Sequence, residues 1–266
     1  MRDLFVAAAL AVAIASPASA SIVEVKFTNI TGSWFSPTFT QISTPNTINN
    51  AAPLGAGSAT ARWGVPSGQP NQSGYDFVPL GDLVFQLDTA TNSSSVGTIA
   101  TFRHLNFPIT SDGGSLTGIK LNFNTDVLID GTFVTNTNFI YAFDHFETPN
   151  ANNPCADGGA QGVGVNANGC ADRVLVNFAA ASGAFLVGQT EYALAVRGFL
   201  VGNDPVTQFW TAERLTNEAA IRGQVVTRSL AGVIPEPATW AMMIAGFGLV
   251  GAAARRRQPQ VMAVTA

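Results

Sequence analysis

Leu116-Thr117-Gly118-Ile119-Lys120-Leu121-Asn122-Phe123 decides the fold. Leu116, Gly118, Lys120 and Asn122 interleave with Thr117, Ile119, Leu121 and Phe123. Successive side chains of a strand point to opposite faces, so this alternation predicts a half-buried strand. The same period returns at Phe139, Tyr141 and Phe143, which would share one face. Ile22-Val23-Glu24-Val25-Lys26-Phe27, Leu83-Val84-Phe85-Gln86-Leu87, Gly97-Thr98-Ile99-Ala100-Thr101-Phe102, Val174-Leu175-Val176-Asn177-Phe178 and Tyr192-Ala193-Leu194-Ala195-Val196 are further β-rich runs. Turn signals such as Ser111-Asp112-Gly113-Gly114 and Asp130-Gly131 separate them. Many short strands with frequent turns predict an all-β domain over residues 21–230, an antiparallel β-sandwich or jelly roll. Residues 216–228 fit a helix or a final strand, and Val225-Val226-Thr227 favours the strand. Residues 43–58, rich in Asn, Pro and Ala, read as a long loop.

Composition agrees with strands. Of 266 residues, 47% are hydrophobic, enough for a sizeable core, but only 11% are charged. Polarity comes from Asn, Thr, Ser and Gly, which suit strands and turns rather than charged-surface helices. Net charge is −4; setting aside four of 13 cations (Arg2, Arg255, Arg256, Arg257) and one of 17 anions (Asp3) leaves −7 between the ends. With no basic stripe carrying interleaved aromatics, nucleic acid is not an expected partner.

The two ends read as addresses. Met1-Arg2-Asp3 is a short cationic n-region, residues 4–15 are apolar, and Ala18-Ser19-Ala20 fits the small-x-small rule for signal peptidase. Residues 1–20 are therefore a signal peptide, with cleavage between Ala20 and Ser21. No lipobox cysteine follows. At the other end Pro235-Glu236-Pro237 precedes an uncharged run, residues 238–254, and then Arg255-Arg256-Arg257. Seventeen apolar residues cover roughly 25 Å, the lower limit for a single C-terminal transmembrane helix. The positive-inside bias would keep the arginines cytoplasmic and the preceding domain periplasmic.

These residues, with Trp240 and Gly246-Phe247-Gly248 inside the run, resemble the PEP-CTERM sorting signal, here spanning residues 231–257. The resemblance implies an exosortase-type membrane peptidase as partner. It implies transient anchoring in the inner membrane, then delivery to the cell surface or outside. The nine residues 258–266 extend beyond where such signals usually stop. The same tail has been labelled an ice-binding protein C-terminal domain, a label for the tail and not evidence about ice.

Cys155 and Cys170 are the only cysteines. An even pair in an exported chain reads as a disulfide, stapling a Gly/Asn-rich loop; a zinc site is the rival, with no further Cys or His nearby in sequence. Phe102-Arg103-His104-Leu105-Asn106-Phe107-Pro108-Ile109, Glu147-Thr148-Pro149-Asn150 and Gly169-Cys170-Ala171-Asp172 resemble elements of the choice-of-anchor K domain, over roughly residues 95–200. Arg103 stands where that family's threonine precedes the histidine. This resemblance implies surface location rather than an activity.

Candidate chemistry is sparse. His104 and His145 are the only histidines, and His145 lies in Asp144-His145-Phe146-Glu147. On a strand His145 and Glu147 share a face and Asp144 takes the other, so the three could not meet one metal without a bulge. A structural hydrogen-bonding role is the expectation for both histidines. Asn150, Asn152, Asn153, Asp157 and Asp172 offer oxygens suited to Ca²⁺, without an EF-hand pattern. No nucleophile elbow is visible and no catalytic residue is assigned. The sequence therefore points to an exported non-catalytic surface or matrix protein associated with exopolysaccharide or biofilm. An exported polysaccharide-acting hydrolase is the rival, and an ice-binding surface a weaker one.

Overall fold

The computed structural model describes residues 21–40, 48, 54–110, 114–230 and 237–255, with the side chains of 178–182, 237–240 and 253–254 outside that description. The chain runs β1 (Ile22–Phe39), β2 (Ala59–Trp63), β3 (Ser73–Pro79), β4 (Leu83–Asp88), β5 (Ser93–Ser94), β6 (Gly97–Asn106), β7 (Leu116–Ile129) and β8 (Thr132–Phe146). It continues through β9 (Asp172–Ser182), β10 (Phe185–Val187), β11 (Thr190–Val201), β12 (Asp204–Val206), β13 (Gln208–Thr211) and β14 (Leu215–Ser229) to the helix α1 (Pro237–Arg255). Every paired strand is antiparallel, in the order β13-β9-β8-β7-β1-β4-β5-β14-β6-β3-β2, with β10, β11 and β12 branching from β14.

The sheet folds over on itself into a β-sandwich-like unit. Strands distant in hydrogen-bonding order face each other across a core of aromatic rings. Phe102 of β6 stacks on Phe143 of β8 at 5.4 Å and 7°, and Trp34 of β1 meets Tyr75 of β3 at 5.7 Å. The expected strands all appear, and residues 216–228 lie within β14. Asp130-Gly131 joins β7 to β8 as a two-residue turn with both φ positive, 47° and 76°. That mirror-image turn matches strand twist, and Asp and Gly are residues that adopt it. Alternation holds from Ile119 to Val127 and from Phe139 to His145 except at Ala142, with odd-numbered residues buried.

Two expectations need correction. Not all strands are short: β1 has 18 residues and β8 has 15, beside short ones such as β10 and β12 with three each. Asn29 (φ 52°) and Ser36 (φ 50°) sit at irregularities in the β1–β7 pairing, so β1 bends without ending. Leu116 does not share a face with Lys120 and Asn122, because a register shift beside Gly118 turns it inward and leaves Thr117 exposed. Of the expected 43–58 loop, residues 54–58 form turns and most of the rest lies outside the described residues.

The helix α1 belongs to a unit separate from the strands. Among the described residues, no helix is long and apolar enough to cross a membrane. The expected signal peptide, residues 1–20 with Ala20 as the expected cleavage residue, lies outside the described residues. Ser21, the expected first mature residue, opens the described chain; its N–H donates to Thr89 Oγ1 at 3.0 Å.

Candidate functional site

Strand parity carries both histidines into the core. In β6 the inward residues include Phe102, His104 and Asn106, while Arg103 faces out and pairs with Glu218 at 2.8 Å. In β8 the series Phe139, Tyr141, Phe143, His145 runs inward, and Asp144 is exposed, accepting from Asn177 Nδ2 at 3.1 Å. The rings of His104 and His145 lie 5.1 Å apart, nearly perpendicular, beside Trp63 and Tyr75. Two strands that are not sheet neighbours thus bring the histidines together.

A hydrogen-bond network orients them. The Thr211 hydroxyl donates to the Asp172 carbonyl at 3.1 Å and lies 2.8 Å from His104 Nδ1. A hydroxyl has one hydrogen, so Thr211 accepts from His104 Nδ1–H, and His104 Nε2 carries the lone pair. His145 Nδ1 lies 2.6 Å from the Tyr75 hydroxyl and its Nε2 lies 3.3 Å from Glu147 Oε2. The Thr148 N–H donates to Asp172 Oδ1 at 2.7 Å. The Asn150 amide, with its nitrogen turned inward, donates to Glu213 Oε1 at 3.2 Å and Cys170 O at 3.3 Å. Asn106 Nδ2 donates to the Thr211 carbonyl at 3.0 Å.

Burial sets the protonation. Loss of hydration pushes His104 well below the usual imidazole range, reinforced by the nearby His145, and holds His145 down to about 4. The same desolvation raises Glu147 and Glu213 to about 7 and Asp172 well above the carboxylate range, with the Glu147 charge adding to the last two. The 3.3 Å His145–Glu147 contact is therefore a hydrogen bond and not a standing ion pair near neutral pH, because the imidazole is neutral there.

Cys155 and Cys170 are joined, closing the loop that leads into β9. The residues that offered oxygens for Ca²⁺ do not share one environment. Asn150 and Asp172 turn toward the buried cluster, while Asn152, Asn153 and Asp157 are exposed. Asp157 is occupied by Asn166 Nδ2, at 2.9 and 3.0 Å, and by the Gly159 N–H. As expected, His145 and Glu147 share a side and Asp144 the other. Tyr75, Asn106, Thr211 and Glu213 were not singled out from sequence as members of any site. Tyr75 and Thr211 reach the histidines only through pairing of β3 and β13 far along the chain. The Asn106 signal was its place two residues after His104, on the same inward face.

A second polar feature lies on the outer face of β1, β7 and β8. Asn124 Nδ2 donates to Asn136 Oδ1 at 3.1 Å and Asn138 Oδ1 at 2.8 Å. Asp126 accepts from Asn136 at 2.8 Å and from Asn29 at 2.7 Å, and these bonds lower its pKa. A shallow groove of about 290 Å³ adjoins this ladder, lined by Ser33, Phe35, Asn122, Asn138 and Ile140.

Of the expected sorting residues, Pro237 opens α1 and Arg255 closes it, while Pro235, Glu236, Arg256 and Arg257 lie outside the described residues. A β-sandwich-like unit followed by a Pro-Glu-Pro, an apolar helix and an arginine cluster defines an exported protein with a C-terminal sorting signal. Residues 233–257 match the PEP-CTERM protein-sorting motif, which marks the chain for an exosortase-type system and delivery to the cell surface. No curated protein matches the sequence.

Proposed function

We propose that this exported protein is a non-catalytic component of the cell surface or matrix that contacts exopolysaccharide through the outer face of β1, β7 and β8. The amide ladder carries this reading. Side-chain amides offer a donor and an acceptor together, as sugar hydroxyls require, and here they already hold one another in place. Phe35 beside them supplies an apolar patch for a sugar face. An open, shallow face suits an extended polymer. It carries Asn rather than a regular Thr array, which speaks against ice.

A hydrolytic role would need the histidines in a cleft. Both are buried, and a groove of about 280 Å³ between Ile109, Ser115 and Pro149 reaches Glu147, Thr148 and Asn150 of the cluster but neither histidine. The residues that carry the choice-of-anchor K resemblance, His104, Asn106, Glu147, Thr148, Asn150 and Asp172, are members of this one network, which fits a fold-defining role for them.

In the same reading, signal peptidase frees Ser21 and the tail engages the inner membrane transiently. Met242, Ile244, Phe247, Leu249 and Val250 of α1 are exposed apolar residues that suit an apolar medium. A 19-residue helix covers about 28 Å, so it would hold weakly and leave Pro-Glu-Pro accessible to the peptidase.

The test is binding of the full exported chain to immobilised exopolysaccharide from its own host, against an Asn124→Ala, Asn138→Ala variant. Saturable binding, weakened about tenfold in the variant by loss of two or more hydrogen bonds, is expected. Absence of binding, or equal binding by the variant, would remove the exopolysaccharide reading.

A further inference from the structure

We propose that His104, His145, Asp172 and Glu147 form a buried binding site for one divalent transition-metal ion of the Zn²⁺ class, with a structural role in the β-sandwich. This goes beyond the surface-binding reading and does not depend on it.

Ligand atoms from His104, His145 and Asp172 all lie within 4.8 Å of one another, and Asp172 shares a second such group with Glu147 and Glu213. Proximity of acids and histidines alone would not make a site. The second observation is a set of orphaned acceptors. His104 Nε2, Asp172 Oδ2, Glu213 Oε2 and Asn106 Oδ1 are buried, and no hydrogen-bond donor among the described residues reaches them. His104 Nε2 and Asn106 Oδ1 present lone pairs outright, and Asp172 Oδ2 and Glu213 Oε2 do so once their carboxyls give up a proton to an ion; among the described residues one further buried side-chain atom lacks a partner, the donor Trp63 Nε1–H. His104, Asn106, Asp172 and Glu213 are each wholly buried. Buried acceptors without donors are costly and uncommon, and several gathered together call for positive charge.

The bonds around the rings have the form that surrounds metal-ligating histidines. Such a histidine gives its other N–H to a fixed acceptor, which sets the tautomer and ring plane. His104 gives Nδ1–H to Thr211, which is itself anchored on the Asp172 carbonyl. His145 Nδ1 faces the Tyr75 hydroxyl at 2.6 Å. Each ring is thus held through Nδ1; His104 Nε2 is without a partner, and His145 Nε2 would exchange its hydrogen bond to Glu147 for the ion. A tetrahedral Zn²⁺ with bonds of about 2.0–2.1 Å places neighbouring ligands about 3.3 Å apart. His145 Nε2 and Glu147 Oε2 already stand 3.3 Å apart. The His104, His145 and Asp172 atoms would close by up to about 1.5 Å from their 4.8 Å limit, and Glu147, which is grouped with Asp172 but not with His104, would have to move further in.

Donor chemistry selects the ion. Two imidazoles and two carboxylates suit Zn²⁺ and its first-row neighbours, whereas Ca²⁺ and Mg²⁺ take oxygen ligands. The two carboxylates balance the charge of the ion. Burial of His104, His145 and Asp172 leaves no open substrate position on their side, so the ion crosslinks β6, β8 and the start of β9.

The test uses the full chain, stripped with chelator and then titrated with Zn²⁺ alone, following Tm and bound zinc by elemental analysis. Expected is near-stoichiometric uptake and, at free zinc about 100-fold above Kd, a Tm rise of roughly 5–10 °C. His104→Gln and Asp172→Asn should abolish that rise. Because either variant could fold poorly, Co²⁺ is substituted into the wild-type chain, where a buried tetrahedral site gives strong visible absorption bands that Zn²⁺ displaces. No Tm response and no cobalt bands in the wild type would overturn the proposal. So would an equal response in folded His104→Gln, which would mean adventitious surface binding.

Discussion

Replacing Thr211 by Val keeps the shape of the side chain and removes the one hydroxyl that links His104 to the Asp172 backbone. Thr211 is wholly buried. Its hydroxyl accepts from His104 Nδ1 at 2.8 Å and donates to Asp172 O at 3.1 Å. In the variant His104 Nδ1–H loses its partner in a site without water access, which costs about 1–3 kcal/mol, and the second bond adds about 0.5–1.5 kcal/mol. The expected destabilisation is about 2–4 kcal/mol, or a Tm fall of roughly 4–16 °C for a unit of this size. Thr211→Ser keeps the hydroxyl and loses one methyl, so it should cost only about 1 kcal/mol. Urea unfolding with chelator present reads both, and Trp63, stacked on His104 at 6.1 Å, supplies local fluorescence. Thr211→Val within about 0.5 kcal/mol of wild type, or Thr211→Ser less stable than Thr211→Val, would refute the assignment of the hydroxyl as the link.

Cys155→Ser with Cys170→Ser should cost about 3 kcal/mol, since the crosslink closes a 15-residue loop, and mass spectrometry of the native exported chain should find no free thiol. Limited proteolysis of the reduced protein should cut first between residues 155 and 170. The Asp126 carboxyl, held by Asn136 and Asn29, should titrate below its ordinary 3.8 by NMR. Its folded pKa is depressed, so its contribution to stability is present above the unfolded pKa and fades as pH falls toward the folded value; Asn136→Ala should raise the midpoint. Pro235→Ala with Pro237→Ala should leave export intact but accumulate the full-length chain in the inner membrane fraction, because the prolines keep the segment before α1 extended for a peptidase. Processing at the wild-type rate would show that the prolines are incidental.

Much of the sheet was legible because its strands obey a period of two. That period put Phe139, Tyr141 and Phe143 on one face and, two residues on, His145 beside them. It failed where the backbone departs from the pleat. The first β-rich run was legible only to Phe27; residues 28–39 break the simple alternation, and two irregularities with positive φ, at Asn29 and Ser36, let β1 run through them. Leu116 departs from the simple alternation for the same reason, a one-residue shift in register. The buried cluster was legible one residue at a time but not as a group. Tyr75 and His145 are 70 residues apart, and His104 and Thr211 are 107 apart. Which strands face each other across the sandwich is fixed by the closing of the whole sheet. Glu213 lies between β13 and β14, where a polar residue reads as turn and gives no hint of complete burial.

The disulfide and the histidine cluster are parts of one construction. Cys170 stands two residues before Asp172. The Thr148 hydroxyl spans the Cys170 and Ala171 carbonyls at 3.0 and 3.1 Å while its N–H holds Asp172 Oδ1. Asn166, inside the crosslinked loop, accepts from the Ala171 N–H at 2.8 Å. The loop therefore sets the backbone from which the Asp172 side chain enters the core. A carboxylate there is costly to bury, and its placement depends on a covalent bond that forms in an oxidising compartment. The sorting motif at residues 233–257 implies export and sorting to the cell surface, outside the reducing cytoplasm. Crosslink, buried polar cluster and export signal thus agree: the stabilising chemistry of this fold is suited to assembly after export.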